Sequence, residues 1–171
     1  MTDPRALYQE LILEHNKKPR NYGRLACRSH HAVGHNPLCG DHIDVELDMG
    51  KEPGCELAGG CIEGIAFEGA ACAICQSSAS MMTLAVKGKT RSEAEIVIAE
   101  FLAMATGKLA LADAPHLGRL RVFSGIRDLP VRVKCAILPW HTLHAALNAK
   151  ACSEDDSGED GLATATTEAR S

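Results

Sequence analysis

Three cysteines that lie far apart in the chain occupy settings in which a thiol can do chemistry. Cys39 lies in a tight Asn-Pro-Leu-Cys-Gly-Asp turn, and Asp41 follows it two residues later. Cys72 and Cys135 each stand where the pattern predicts the start of a helix, whose free N–H groups and dipole favour the thiolate. Three thiolates and one carboxylate are four ligands of the kind that a tetrahedral zinc ion binds, provided that the fold gathers them.

Each of these residues, taken alone, also has a simpler interpretation. A single cysteine is most often a small buried apolar residue, and Asp41 beside Cys39 is typical of an aspartate that caps a turn. Cys72 and Cys75 form a C-x-x-C pair, the signature of thiol–disulfide exchange, but the preceding aromatic strand and the βαβ setting of that chemistry are missing. Cys75 is therefore interpreted first as a packed side chain, and otherwise as a spare thiol or an alternative ligand.

The other cysteines and the histidines are not assigned to a site. The remaining cysteines show no reliable paired spacing; they are Cys27, Cys55, Cys61 and Cys152. Four histidines cluster around the first predicted strands, namely His30, His31, His35 and His42. Positions on a strand face or in solvent explain these histidines more simply than metal ligation does.

The composition excludes several classes of function. The net charge is −4, but residues 151–171 hold six acidic residues against one arginine, so the rest of the chain is close to neutral. This charge balance leaves no basic surface for nucleic acid, and because aromatic residues make up only 4% of the chain, stacking platforms for bases are missing too. The first 15 residues carry no apolar signal-peptide core, and no stretch is long enough to cross a membrane. We therefore expect a cytoplasmic, thiol-reduced protein whose eight cysteines serve metal binding or catalysis rather than cross-linking.

The hydrophobic periodicity predicts an α+β fold, a small three-stranded antiparallel sheet with helices packed on one face. The strands are expected at 27–33, 43–47 and 61–67, and the helices at 3–17, 74–87, 92–107, 116–127 and 135–150. Ser92 and Glu95 fit a capping box. Residues 130–134 are expected to be extended, which would place Pro139 in the first turn of the last helix. Residues 1–150 would form one domain and residues 151–171 an acidic disordered tail.

Taken together, the motifs resemble those of the IscU/NifU superfamily. They are N-P-x-C-G-D at 36–41, C-A-I with S-A-S-M-M between 72 and 82, and V-K-C-A-x-L-x-W at 133–140. The match runs in order from about residue 4 to residue 150. Two features resemble the SufU-type branch: Lys134 stands where the IscU branch has histidine, and the stretch between Cys72 and Cys135 is longer by roughly one helix.

The resemblance implies a fold, a site and an activity. The fold is IscU/SufU-like, and the metal ligands would be Cys39, Asp41, Cys72 and Cys135. The chain would accept persulfide sulfur from a pyridoxal-phosphate cysteine desulfurase of the SufS type and pass it to a downstream iron–sulfur scaffold or apo-protein. It would be a sulfur-transfer partner rather than a free-standing enzyme. Cys39 matches the sulfur acceptor, and Arg132 matches a family arginine that supports the anionic persulfide, although a plain surface position explains Arg132 equally well.

Two other functions use the same residues. In the first, the cysteines form a scaffold on which iron or a [2Fe–2S] cluster is assembled and then transferred; Asp41, an oxygen ligand, suits a labile cluster as well as an exchangeable zinc ion. Lys134 argues against the scaffold, because the resemblance implies that a histidine ligand is lost there. In the second, zinc is purely structural: the metal holds the fold and no sulfur moves.

Overall fold

The architecture is a mixed sheet with helices on one face. The computed structural model describes residues 3–50, 60–151 and 163–166. In chain order the elements are α1 (Pro4–Lys17), β1 (His30–Asn36), β2 (Asp41–Gly50), β3 (Cys61–Ala70), α2 (Ala73–Val86), α3 (Arg91–Ala105), two 3-10 segments (Leu111–Asp113 and Gly118–Ile126), α4 (Pro130–Asn148) and β4 (Ala163–Thr166). This arrangement confirms the predicted α+β class. In the part of the chain that the structure describes, no helix is long and apolar enough to cross a membrane.

Alternation along the strands decides which face of the sheet the helices cover. Ile43, Val45 and Leu47 of β2 are buried at every second position, and α4 packs across β1 and β2 on that side. Gly34 of β1 is needed for this contact, because a Cβ atom there would lie 2.0 Å from Oγ1 of Thr142 on α4. The absent side chain therefore lets α4 lie close against the sheet.

The sheet has four strands instead of the predicted three, in the order β3-β2-β1-β4. β1 with β2 and β2 with β3 are antiparallel pairs, whereas β4 pairs parallel with β1 at the edge. β4 has the sequence Ala-Thr-Ala-Thr and comes from the segment that the composition assigned to a disordered tail. A four-residue alternation is too short to stand out from such a tail, although threonine suits a strand. The rest of the predicted tail, 152–162 and 167–171, and most of the predicted turn at 49–54 lie outside the described residues.

Helix α4 begins five residues earlier than expected. The prediction of an extended segment at 130–134 is wrong, because Pro130 is the first residue of α4, where its fixed φ angle suits a helix. Cys135 consequently lies in the second turn and not at the helix start. Pro139 lies inside the helix rather than in its first turn, and it has no N–H to donate to the carbonyl of Cys135 four residues earlier.

Two smaller shifts concern β1 and α3. β1 begins three residues later than the predicted strand. The capping box of α3 is formed by Thr90 and Glu93 instead of Ser92 and Glu95. Both pairs fit the same pattern, so the sequence does not choose between them. A bridge between Thr90 and Cys61, at the start of β3, accompanies the earlier pair.

A buried serine joins α2 to α4. Oγ of Ser78 donates a hydrogen bond to the carbonyl oxygen of Ala136 at 2.6 Å and accepts one from Nε1 of Trp140 at 3.1 Å. The Trp140 ring stacks on Phe101 of α3, with ring centroids 4.3 Å apart. Three helices therefore meet at this point, one residue away from Cys135.

We predict that Ser78→Ala lowers the free energy of unfolding by about 1–3 kcal/mol, because the Trp140 N–H is left buried without an acceptor. Urea unfolding measures this change, and Trp140, the single tryptophan of the chain, reports it by fluorescence. Ser92→Ala, on the exposed side of α3, is the matched control and should leave the free energy of unfolding within about 0.5 kcal/mol of the parent. Equal effects of the two substitutions would contradict the proposed role of Ser78.

Candidate metal centre

Cys39 is presented by a tight connection between β1 and β2. Asn36 pairs with Asp41 across the two strands, so only four residues form the turn. The Asn36 side chain accepts a hydrogen bond from the N–H of Leu38 at 3.1 Å, and its carbonyl accepts one from the N–H of Gly40 at 2.9 Å. Gly40 has a φ angle of +72°, a conformation that favours glycine. The turn leaves Cys39 exposed and directs Asp41 inward.

Asp41 is a buried carboxylate, and only one of its two oxygens accepts a hydrogen bond within the described residues. Its Oδ1 accepts a hydrogen bond from the backbone N–H of Cys72 at 2.8 Å. Its Oδ2 is buried and has no hydrogen-bond partner among the described residues. Burial of a charged oxygen without a partner is costly, and a bound cation removes that cost. Asp41 therefore needs a positively charged neighbour.

Cys72 caps the N-terminus of α2, as the sequence predicted. Its Sγ accepts a hydrogen bond from the N–H of Cys75 at 3.5 Å. The pKa of Cys72 is lowered to about 7, chiefly by a hydrogen bond from the thiol of Cys135, against the opposing effect of burial, with help from the Cys75 N–H. Without metal, Cys72 therefore ionises at lower pH than Cys39 and Cys135, whose pKa values are raised.

Cys135 is buried, and its Sγ lies 3.8 Å from Sγ of Cys39. Because it lies in the second turn of α4, the effect of a helix start on its thiol, which the sequence analysis expected, does not operate. Its pKa is raised, first because its thiol donates to Cys72 and then because it is buried. Desolvation and the neighbouring Asp41 also raise the pKa of Cys39. Neighbouring thiols of this kind ionise together only beside a cation.

The fold thus gathers residues that are 96 positions apart in the sequence. Sγ of Cys39, a carboxylate oxygen of Asp41 and Sγ of Cys135 all lie within 4.8 Å of one another. Sγ of Cys72 is near enough to act on the pKa of Cys135, but it does not lie within 4.8 Å of every member of this group. Three sulfurs and one unpartnered carboxylate oxygen fit a zinc ion by their chemistry, and the assignment of these four residues as ligands stays a prediction.

The remaining candidates lie in other places. Arg132 is exposed in the first turn of α4, and its charge acts on the half-buried Tyr8, as does that of Cys72. Tyr8 of α1 is thus a further residue near the site, and no sequence motif distinguishes it. Cys75 is fully buried in the core, which agrees with its first interpretation as a packed side chain.

Other cysteines do not join the four residues of the candidate site. Cys27 is an exposed free thiol, and Cys61, at the start of β3, is disulfide-bonded, so the expectation of fully reduced thiols does not hold for Cys61. Cys55 and Cys152 lie outside the described residues.

Comparison with known proteins gives consistent matches over most of the chain. The profile of the NifU-like N terminal domain family matches residues 7–136. The zinc-dependent sulfurtransferase SufU of Bacillus subtilis is 38% identical over 137 residues, which cover 80% of this chain and 86% of that protein. The iron–sulfur cluster assembly scaffold protein IscU of Streptococcus pyogenes is 34% identical over 146 residues, which cover 85% of each chain.

Solved structures agree with these sequence matches. A putative iron–sulfur cluster assembly scaffold protein for the SUF system from Fervidobacterium islandicum superposes with a TM-score of 0.67 at 31% identity, covering 82% of this chain and 96% of that one. A NifU-like N-terminal protein from Brucella abortus gives a TM-score of 0.70 at 26% identity, covering 83% of this chain and 92% of that one. The resemblance predicted from the motifs is confirmed.

We predict that the thiols of the metal-free protein are alkylated in a defined order as the pH rises. The modification of Cys72 by iodoacetamide should pass its midpoint near pH 7, because its lowered pKa leaves a thiolate there, whereas the midpoint of Cys39 should be more alkaline. Peptide mass spectrometry separates the two profiles.

Two variants test the cause of this order. Cys135→Ala removes the thiol that donates to Cys72 and should move the Cys72 midpoint to higher pH, whereas Cys75→Ser keeps the backbone donor and should leave it in place. A Cys39 midpoint below that of Cys72, or an unmoved midpoint in Cys135→Ala, would show that the assigned hydrogen bond is wrong.

Proposed function

We propose that this chain, which belongs to the NifU-like N-terminal domain family, serves iron–sulfur cluster assembly by accepting persulfide sulfur on Cys39 at a zinc site. The observation that carries the proposal is the gathering of three thiols around a buried carboxylate that has an unpartnered oxygen. The name of the B. subtilis relative, a zinc-dependent sulfurtransferase, supports it. The partner that supplies sulfur would be a pyridoxal-phosphate cysteine desulfurase of the SufS type, in the cytoplasm.

The proposed ligands are Cys39, Asp41, Cys72 and Cys135. Zinc, when bound, would supply a positive charge that keeps the thiols ionised and shields them from oxidation. The chain contributes the positions: the β1–β2 turn carries two ligands, the N-cap of α2 carries the third, and α4 carries the fourth. Asp41 is the oxygen ligand and gives the weaker bond of the set, which favours exchange.

Cys39 is the acceptor because it is the exposed member of the set. Cys135 is buried and Cys72 is half-buried, so a partner's persulfide reaches Cys39 first. The Cys39 thiolate would attack the outer sulfur of the desulfurase persulfide, and the desulfurase cysteine would leave as a thiolate. The persulfide on Cys39 would then pass to a downstream iron–sulfur scaffold or apo-protein. The chain is thereby a sulfur-transfer partner of the desulfurase and not a free-standing enzyme.

Arg132 would support this persulfide. It is exposed in the first turn of α4, close enough to the site to influence Tyr8 electrostatically, as Cys72 also does. A guanidinium group at this position attracts an anionic sulfur as it arrives.

The scaffold remains the second candidate, because relatives such as the S. pyogenes protein are named assembly scaffolds. The same three thiols and Asp41 would hold a [2Fe–2S] cluster or iron. Lys134, which is half-buried beside Cys135, argues against it because an ammonium group is not a metal ligand. A structural zinc module is the third candidate and predicts bound zinc without sulfur transfer.

We predict that the protein, purified with and without oxygen, contains zinc near one ion per chain and raises the turnover of a cysteine desulfurase supplied with cysteine and reductant. Cys39→Ala should abolish this stimulation because the nucleophile is lost. Cys27→Ala, which removes an exposed free thiol outside the candidate site, is the matched control and should retain it.

The outcomes separate the candidates. Stimulation that survives in Cys39→Ala would exclude Cys39 as the acceptor. A coloured, iron-bearing protein that hands its cluster to an apo-protein would identify the scaffold. Zinc without any stimulation would identify the structural module.

For Arg132 we predict a partial effect. Arg132→Ala should lower the stimulation about two- to fivefold at unchanged zinc content, as expected for an exposed ionic contact worth up to about 1 kcal/mol. Arg132→Lys should recover part of the loss, and Arg127→Ala, another exposed arginine, is the charge-matched control. An unchanged rate in Arg132→Ala would show that Arg132 is only a surface residue.

A further inference from the structure

The solvent face of the sheet carries a second group of metal-ligating side chains. His31 of β1 and His42 and Asp44 of β2 lie on the face opposite the one that α4 covers, because the buried residues of β2 alternate with them. Asp44 pairs with Val33 across the two strands, so His31, two residues before Val33, is its diagonal neighbour. These positions place two imidazoles and a carboxylate together on one surface.

The distances between these side chains are short. Nε2 of His42 lies 3.6 Å from Oδ1 of Asp44, and Nε2 of His31 lies 3.9 Å from the same oxygen. The side chains are partly exposed, at 47% for His42, 21% for Asp44 and 18% for His31. The group is therefore reached from solvent, mainly on the side of His42.

Asp44 differs from the neighbouring carboxylates in the residues with which it forms ion pairs. Glu46 is paired with Arg28, and Glu68, which pairs with Asp44 across β2 and β3, is paired with Arg24. Asp44 forms no ion pair with a lysine or arginine in the described ranges, and both of its partners are imidazoles. A carboxylate in this setting attracts a cation that imidazoles also bind.

His31 is suited to ligation in its neutral form. Burial is the main cause that lowers its pKa, with a further contribution from the charge of Arg28. A neutral imidazole offers a ring nitrogen to a metal, whereas a protonated one does not.

We propose that His31, His42 and Asp44 form a second, exchangeable site for a late first-row divalent ion such as zinc, separate from the cysteine centre. Tetrahedral zinc with bonds of about 2.0–2.1 Å holds its ligand atoms about 3.3–3.4 Å apart. The two separations from the Asp44 oxygen are near this value. The three atoms do not all lie within 4.8 Å of one another, so binding requires the imidazoles to rotate toward the ion. Three protein ligands leave the fourth position to water, which makes the ion exchangeable.

The alternative, that these histidines are plain strand-face residues, is the interpretation that the sequence alone favours. The site does not depend on the proposed sulfur transfer, and it is tested by metal binding without any activity. The full chain is titrated with zinc until the strong sites are filled, and then further, while the imidazole resonances are followed by ¹H–¹⁵N NMR.

The expected result is that His31 and His42 shift together and saturate with one additional zinc ion per chain. His42→Ala should weaken the binding of that ion at least about tenfold and remove the shift of His31, because a ligand is lost. Asp44→Asn, which keeps the shape and removes the charge, should weaken it as well. His116→Ala is the matched control, since His116 is an exposed histidine that faces a single carboxylate, Glu100.

Two results would overturn the proposal. In one, His31 and His42 shift no more than His116 does when zinc is added. In the other, an additional ion binds with the same affinity to the His42→Ala variant and to the parent. Because each comparison is made between variants of one chain, the result does not depend on whether the cysteine centre holds zinc or sulfur.

Discussion

The position of the thiols depends on how α2 is held against α4, and Ser78 holds the two helices together. Its hydroxyl is bonded to the Ala136 carbonyl and to the Trp140 indole. Cys72 lies six residues before Ser78, and Cys135 lies next to Ala136, so the contact fixes how far apart their two sulfurs are. A buried polar bond of this kind is directional, whereas apolar packing alone allows the helices to slide. The sheet then supplies the third side of the site through the β1–β2 turn.

Charge explains why such a site needs an ion. The thiols of Cys72 and Cys135 act on each other, so that the pKa of Cys72 is lowered and that of Cys135 is raised. Asp41 adds a carboxylate oxygen that has no hydrogen-bond partner within the described part of the chain. The fold therefore concentrates negative charge in a partly buried place, and it does so with groups that prefer a divalent cation to solvent. The proposed ion, if bound, would recover the energy needed to assemble these groups.

Local sequence patterns predicted two of the segments that carry the site residues. The turn at Cys39 and the N-cap at Cys72 are encoded by neighbouring residues, since Gly40 and the residues after Cys72 fix them within one turn of chain. Cys135 was misplaced because Pro130 fits both an extended segment and the first position of a helix, and only packing against the sheet decides between them. β4 was missed for a related reason: a short strand exists only where another strand offers an edge.

The gathering of residues could be expected only from the family resemblance. Nothing in the spacing of Cys39 and Cys135 says that their sulfurs lie 3.8 Å apart. The cluster of His31, His42 and Asp44 on the solvent face of the sheet could not be expected from the sequence either. Alternation in the strand predicted at 43–47 separates Asp44 from its apolar neighbours, but the register between β1 and β2, which brings His31 to Asp44, is a tertiary property.

Pro139 changes the backbone hydrogen bonding of α4 at the level of the site. Proline has no N–H, so α4 lacks one backbone hydrogen bond. The missing bond is the one that residue 139 would have donated to the carbonyl of Cys135. The Cys135 carbonyl therefore receives no helical hydrogen bond from residue 139, while the neighbouring carbonyl of Ala136 accepts one from Ser78 of α2. The turn that carries this sulfur is thus bonded to the neighbouring helix at the point where its own helix supplies one hydrogen bond fewer.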